Sequence, residues 1–332
     1  METVGIDIGK GYIKVWTPEE KHILPSQAAR GSVTDLDGRS SSLVYRGVPY
    51  IFGSDAELGE GEWSSSDEKA TMKSVLCVLK VIDEYFRDVQ AIQVGVGLPV
   101  GNYEAEKAAL KELLAGKHVY QSGRKTREVM ITSSVIPEGI GAYCSLILDD
   151  EGMIREDYRT GTTLVVDIGF KTLDTVVVDG AKISMKGWGS VLLGVEKVVK
   201  YVAEELRRKL GILLPEEIVR IKECLENCDG DDWMPVCFLK GQNIDISPYM
   251  NDALAGYCGE VMTYIHDLVR QTVVRHILFT GGGSILLGKH LKETYPQAMF
   301  TGDIHANAEG FYKLAVRKKR QALSQTTVQY SQ

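Results

Sequence analysis

An Asp-Ile-Gly element closes an apolar run twice in this chain, once in VGIDIGKGYIKVW (4–16) and again in LVVDIGFKTLDTVVVD (164–179). In the first copy Val4, Ile6 and Ile8 alternate with Gly5 and Asp7, the period of a β-strand with two distinct faces. The run breaks at Gly9-Lys10-Gly11 and resumes at Tyr12-Ile13-Lys14-Val15, which predicts a hairpin. The second copy sets Asp167 before Gly169-Phe170-Lys171 and again has strand residues on both sides. One Asp-x-Gly is accounted for by a turn with a solubilising acid. Two copies, each between strands, predict a duplicated α/β chain whose carboxylates share a task.

The residue types define that task. Gly9 and Gly11 can adopt positive φ, so successive backbone N–H groups can converge on an anion. Asp7 and Asp167 would be repelled by phosphate directly. They suit Mg²⁺, held through its water shell and bridged to phosphate oxygens. Lys14 adds positive charge on the side of the hairpin that Tyr12 faces. The expectation is a two-jawed clamp on a polyphosphate–Mg²⁺ unit between two domains. A third element, Gly281-Gly282-Gly283-Ser284, follows the buried strand RHILFT (275–280) and would let backbone approach a flat ligand. GSILLGKH (283–290) imitates a P-loop, but His290 stands where the hydroxyl ligand of Mg²⁺ belongs. The dinucleotide fingerprint fails as well, because Lys14 replaces its third glycine and a strand follows instead of a helix.

The 332 residues, 44% of them hydrophobic, can bury a large core and suggest two domains. A net charge of −7 argues against direct nucleic-acid or membrane-surface binding. The start of the chain carries no signal-peptide pattern and no run is long enough to span a membrane, so the expected location is the cytoplasm. Cys224, Cys228 and Cys237 lack a histidine or a Cys-x-x-Cys pair among them and are read as structural thiols. Apolar periodicity predicts helices over 68–88, 102–115, 190–210, 215–227, 248–272 and 307–320. A polar loop is expected at 53–67. The charged segment 149–162 is the expected boundary, giving domain I at 1–155 and domain II at 156–304, with a last helix at 305–320 that the family resemblance given below implies returns to domain I. Arg317-Lys318-Lys319-Arg320 would be its solvated end, followed by a disordered tail at 321–332.

Taken together, DIGKGYIK (7–14), ILPSQ (23–27), VGVGLPV (94–100), VIPEGIGAYCSL (135–146), VVDIGFKTLD (165–174), FTGGGSILL (279–287) and NAEGFYKLA (307–315) resemble the actin superfamily, in particular its ParM-type bacterial and archaeal members. The resemblance spans nearly the whole chain. It implies an actin/ribonuclease H-like fold of two duplicated α/β domains with ATP, or GTP, in the cleft between them. By resemblance, Asp7 and Asp167 hold Mg²⁺, while Gly9, Lys10, Gly11 and Tyr12 and, in the second loop, Gly169, Phe170 and Lys171 cradle the phosphates with Lys14. Lys10 departs from the small or polar residue usual at its position, and Lys171 from the glycine or small residue usual near its own. Glu138 matches the place of the residue beside the attacking water; an ordinary first-turn carboxylate is the competing account. Lys222 and Glu223 match a helix beside the nucleoside, and Gly281, Gly282, Gly283 and Ser284 the adenosine motif.

The same resemblance implies a filament-forming ATPase whose main partner is itself, with a DNA-binding adaptor linking it to plasmid or phage DNA. An actin-fold sugar or acyl kinase is the alternative. It would need a further acid or base at a substrate hydroxyl, and no motif supplies one. A non-catalytic chaperone or cell-division module would need a substrate domain or an apolar end helix that the tail does not encode.

Overall fold

The computed structural model describes residues 1–34, 42–58, 69–155, 161–180, 182–226, 235–271 and 273–329. The chain divides into two compact units, Met1–Thr160 with Asp303–Gln332, and Gly161–Gly302. Both are α/β.

In the first unit β1 (Glu2–Ile8), β2 (Tyr12–Trp16), β3 (Lys21–Pro25), β4 (Ala28–Arg30), β5 (Leu43–Tyr45) and β6 (Val48–Phe52) precede the helix α1 (Met72–Tyr85). Then come β7 (Ala91–Leu98), α2 (Tyr103–Leu114), β8 (Gly116–Ser122), β9 (Lys125–Pro137) and α3 (Ile140–Ile147). The strands form one sheet in the order β3-β2-β1-β7-β9-β8-β5-β6-β4, with β1, β7 and β9 parallel. Strand β9 is longer than the alternation over 127–133 suggests, because its second half, up to Pro137, stays paired with β7.

The two faces of this sheet are covered differently. Val4, Ile6, Val94 and Val96 pack with Val75, Leu76, Leu79 and Ile82 of α1 in one buried cluster. On the other face Gly5 and Gly95 admit the backbone of α9 (Ala306–Gln329) directly. A Cβ on Gly5 would fall 1.8 Å from the carbonyl oxygen of Ala308, and one on Gly310 would fall 1.7 Å from that of Gly141 in α3. Phe311, fully buried, fills the space the glycines leave, a contribution of about 1.5–3 kcal/mol.

Helix α9 runs on to Gln329 instead of ending near 320, because QALSQTTVQ holds no proline or glycine to stop it. The basic cluster is therefore mid-helix. Arg317 Nη1 and Arg320 Nη1 donate to the carbonyls of Gly152 and Glu151 at 2.9 and 2.8 Å, so these two side chains hold a loop, while Arg320 stays exposed.

The second unit repeats the first hairpin arrangement. Its strands are β10 (Thr162–Ile168), β11 (Leu173–Asp179), β12 (Lys182–Val191), β13 (Val236–Leu239), β14 (Gln242–Asp245), β15 (His276–Thr280) and β16 (Met299–Phe300). The main sheet has the order β12-β11-β10-β15-β16, which matches β3-β2-β1-β7-β9 strand for strand; β13 and β14 form a separate hairpin. Helices α4 (Glu196–Leu210), α5 (Pro215–Glu226) and α6 (Ser247–Gln271) supply its core together with α7 (Gly282–Leu286) and α8 (Gly288–Thr294). Helix α4 begins later than the expected residue 190, because Ser190 and Val191 still pair with Asp174 and Leu173 of β11. Cys224 and Cys237 are free thiols packed between α5 and β13. The greater part of the expected loop at 53–67, and Cys228, lie outside the described residues.

Candidate functional site

In the first unit the sequence places Asp7 at the end of β1, directly across the ladder from Lys14 of β2. The turn between them is closed by the Gly9 N–H, which donates to the Tyr12 carbonyl at 2.9 Å. Lys14 Nζ donates to Asp7 Oδ2 at 3.0 Å. Burial pushes the Asp7 carboxyl upward, but Lys14, Lys69 and His305 outweigh it and hold the group below its ordinary value. The back of the turn is tied to Ser26, whose N–H donates to Gly11 O at 3.0 Å and whose hydroxyl donates to Lys10 O at 2.9 Å. Two loop carbonyls are thus committed away from the turn. Tyr12 is exposed.

Glu138 follows the last residue of β9, and its N–H donates to Leu98 O of β7 at 2.8 Å. Gly139, with φ +78°, caps α3, so Glu138 lies before that helix and outside its first turn. Asn307 Oδ1 accepts from the N–H groups of Gly139 and Ala142 at 3.0 Å each, which fixes the segment from α9. The Glu138 side chain is mostly buried and ion-paired with Lys69. Lys69 has no place in the sequence reading. It stands alone just ahead of α1, and only the fold brings it to Glu138.

The second unit closes its turn with the same bond, from the Gly169 N–H to Thr172 O at 2.9 Å. Its loop is held from behind by the start of α4, where the N–H groups of Val195, Glu196 and Gly194 donate to the carbonyls of Gly169, Phe170 and Lys171 at 3.1, 2.7 and 3.2 Å. Gly194 permits this approach, since a Cβ there would meet Phe170 O at 2.4 Å. Asp167 is buried and lies opposite Asp174, not opposite a lysine. Thr172 Oγ1 donates to Asp174 Oδ2 at 2.8 Å and braces the turn.

The glycine run meets this hairpin. Gly281, with φ +80°, presses its backbone against Asp167, and a Cβ would lie 2.4 Å from Asp167 Oδ1. Gly282 faces open space, whereas Gly283 packs on Ile168. Ser284 differs from the expectation that it faces a ligand: it is buried, and its hydroxyl donates to Gly281 O at 2.7 Å. The hydroxyl supports the turn from inside. Lys222 of α5 places its ammonium 5.1 Å from the ring centroid of Phe170, joining α5 to the second loop. Glu223 lies on the same helix, beside Cys224 and Phe238 in a surface groove.

Among the described residues no group of three or more His, Cys, Asp or Glu could enclose a metal ion. Asp7 and Asp167 are single hard-oxygen donors at matching positions. Mg²⁺ is commonly held by one or two carboxylates together with water and phosphate oxygens. Each carboxylate, taken within its own unit, therefore suits Mg²⁺ that arrives with phosphates and does not suit an all-protein cage.

The family description "Actin like proteins N terminal domain" matches residues 5–141, and "Archaeal actin homologue MreB-like, C-terminal" matches residues 165–293. The chain belongs to the actin-like proteins. No curated protein matches the sequence. Solved structures agree on the fold. The archaeal actin homologue Ta0583 superposes on this actin-like chain with a TM-score of 0.79 at 21% identity, covering 96% of this chain and 100% of the other. Its complex with ADP gives a TM-score of 0.77 at 21% identity, with the same coverage of 96% and 100%. The ParM of a 15-stranded filament from Clostridium botulinum gives 0.75 at 19% identity, covering 96% of this chain and 100% of the other. The actin-like chain thus has the two-domain α/β actin fold, and no helix among its described residues is long and apolar enough to cross a membrane.

Proposed function

We propose that this actin-like chain binds adenine nucleotide, hydrolyses ATP and assembles into filaments of its own copies. The observation that carries this reading is the repeated hairpin. β1–β2 and β10–β11 share one turn bond and set Asp7 and Asp167 at the same ladder position. The ADP held by the Ta0583 homologue supports an adenine nucleotide as the ligand.

In this reading the turns at Gly9–Gly11 and Gly169–Lys171 receive phosphate groups, with Lys14 balancing their charge beside Asp7. Lys10, Tyr12 and Phe170 flank those turns. Asp7 and Asp167 would hold Mg²⁺ through its water shell; when bound, the ion neutralises charge that develops on the phosphates. Glu138 orients the attacking water, since phosphoryl transfer needs alignment more than covalent chemistry. Gly282 leaves room for the adenosine, with Gly281, Gly283 and Ser284 shaping the turn beneath it, and Lys222 and Glu223 approach from α5.

Self-assembly of the C. botulinum ParM supports filaments as the product. A head-to-tail interface between identical chains does not close, so it yields a fibre. The cellular task we propose is segregation of plasmid or phage DNA in the cytoplasm. A DNA-binding adaptor would make the contact to DNA, because a net charge of −7 disfavours direct binding. Light scattering after addition of ATP and Mg²⁺, followed by negative-stain microscopy, tests the proposal. Scattering that rises with ATP and filaments on the grid support it; ADP binding without any polymer removes the filament part.

A further inference from the structure

Lys69 belongs to the first unit's charge cluster, and the proposed function gives it no role. Its backbone is fixed from two directions. The N–H groups of Lys69 and Ala70 both donate to Glu106 Oε2 of α2 at 2.8 Å, and Asn102 Nδ2 donates to Glu106 Oε1 at 2.7 Å. The Ser74 hydroxyl donates to the Lys69 carbonyl at 2.5 Å. From this anchored base the side chain reaches Glu138 Oε1, and the two side chains are only 14% and 15% exposed. Burial works against the ammonium charge, and the carboxylates of Glu138 and Asp7 overcome it, so the Lys69 pKa is raised. The amine stays charged.

Stability alone gives a weak reason for this arrangement. A mostly buried ion pair loses hydration on both partners, and apolar side chains of the same size often serve a fold as well or better. The placement has a stronger explanation. Asp7 and Glu138 are two like charges gathered where a polyphosphate would add more. Lys14 answers one of them and Lys69 the other. The Glu138 methylenes also meet Gly97, where a Cβ would lie 3.1 Å from Glu138 Cγ, so the carboxylate is confined from the strand side as well.

We infer that Lys69 is a positioning residue for ATP hydrolysis, holding the Glu138 carboxylate in the orientation from which it directs the attacking water. The inference rests on the proposed function of Glu138. Lys69 acts through Glu138, and its anchoring by Glu106 passes the geometry of α2 to the site.

The test compares the full-length native chain with Lys69→Met, Lys69→Arg, Glu138→Gln and the Lys69→Met/Glu138→Gln double variant. ADP affinity is read by titration, and single-turnover phosphate release is read from ATP with Mg²⁺. Lys69→Met should slow release about 10- to 100-fold while changing the ADP Kd less than about threefold. Lys69→Arg should keep more of the rate than Lys69→Met, because it keeps the charge. The double variant should be no slower than Glu138→Gln, since the two residues act as one unit. Should Lys69→Met lose its cooperative melt, Lys69→Ala with added methylammonium takes its place, and a rate restored by the amine supports the inference. Native release by Lys69→Met, or effects of the two substitutions that multiply, overturns the inference alone. A native chain that binds no ADP, or Glu138→Gln with an unchanged rate, overturns the reading beneath it and the inference too.

Discussion

Lys14 Nζ lies 3.0 Å from Asp7 Oδ2 across the β1–β2 ladder. In the second hairpin the position opposite Asp167 is held by Asp174. The two copies share a turn and differ at this ladder position, a lysine in the first unit and an aspartate in the second. Lys14→Met tests what that lysine does for the fold. Removing it leaves the buried Asp7 with a weaker set of partners, a loss of about 1–3 kcal/mol at neutral pH. The Asp7 carboxyl is held below its ordinary value of 3.8, so its stabilisation is present above that value and is lost as pH falls through the lower folded one. Denaturant titrations of the native chain and the variant should therefore differ most at pH 7 and converge under acid conditions.

Gly281→Ala should damage the turn beside Asp167 in the second unit. The residue has φ +80°, and the added methyl would meet Asp167 Oδ1 at 2.4 Å and Ile168 O at 2.5 Å. Both the backbone strain and the overlap act at the same point, for a combined loss of about 1–3 kcal/mol or more. Thermal melting should show the loss, and ADP titration should show affinity lowered by at least about tenfold, a 1.4 kcal/mol effect. Gly282→Ala, facing open space, is the control and should melt like the native chain.

His118, between Tyr45 and Leu114, gives the fold a pH dependence of its own. Its Nε2 lies 3.0 Å from Leu114 O, which can only accept, so Nδ1 accepts from the Tyr45 hydroxyl at 2.9 Å. Burial holds this imidazole below its ordinary value of 6.5; the bond to Leu114 opposes the shift and Arg46 adds to it. Its stabilisation is complete above the unfolded value and fades as pH falls through the lower folded one. Unfolding free energy should rise between about pH 5 and pH 7, and His118→Gln should flatten that rise.

Gly310→Ala should loosen α9 from α3. The new methyl would lie 1.7 Å from Gly141 O, and backbone cannot yield as a side-chain tip does. A loss of about 1–3 kcal/mol or more is expected, read as a lower denaturant midpoint. Native stability would mean that α9 does not lie backbone to backbone on α3.

Much of this molecule is legible in its residues, for physical reasons. Val4, Ile6 and Ile8 alternate with Gly5 and Asp7 because one face meets α1 and the other meets α9, so the strand period shows in the letters. Local turns are equally readable, as at Gly9 and Gly169. Features made by pairing between distant segments are not. Strand β9 extends to Pro137 only because β7 lies beside it, and β12 runs on to Val191 because β11 does. Ser284 looked like a ligand contact in a glycine-rich turn, yet its hydroxyl supports Gly281 from within. Lys69 was invisible for the strongest reason: Glu138, Glu106 and Asp7 reach it from three other segments. The charge difference between the hairpins, in contrast, stood in plain view at Lys14 and Asp174 and needed only the strand register to be seen.

Phosphate release from ATP–Mg²⁺, measured side by side for the native chain and Asp167→Ala, tests the central claim most directly. The account predicts steady release by the native chain and none above background for the variant, with ADP still bound by both. Equal release from the two, or a native chain that neither binds ADP nor releases phosphate, would contradict it.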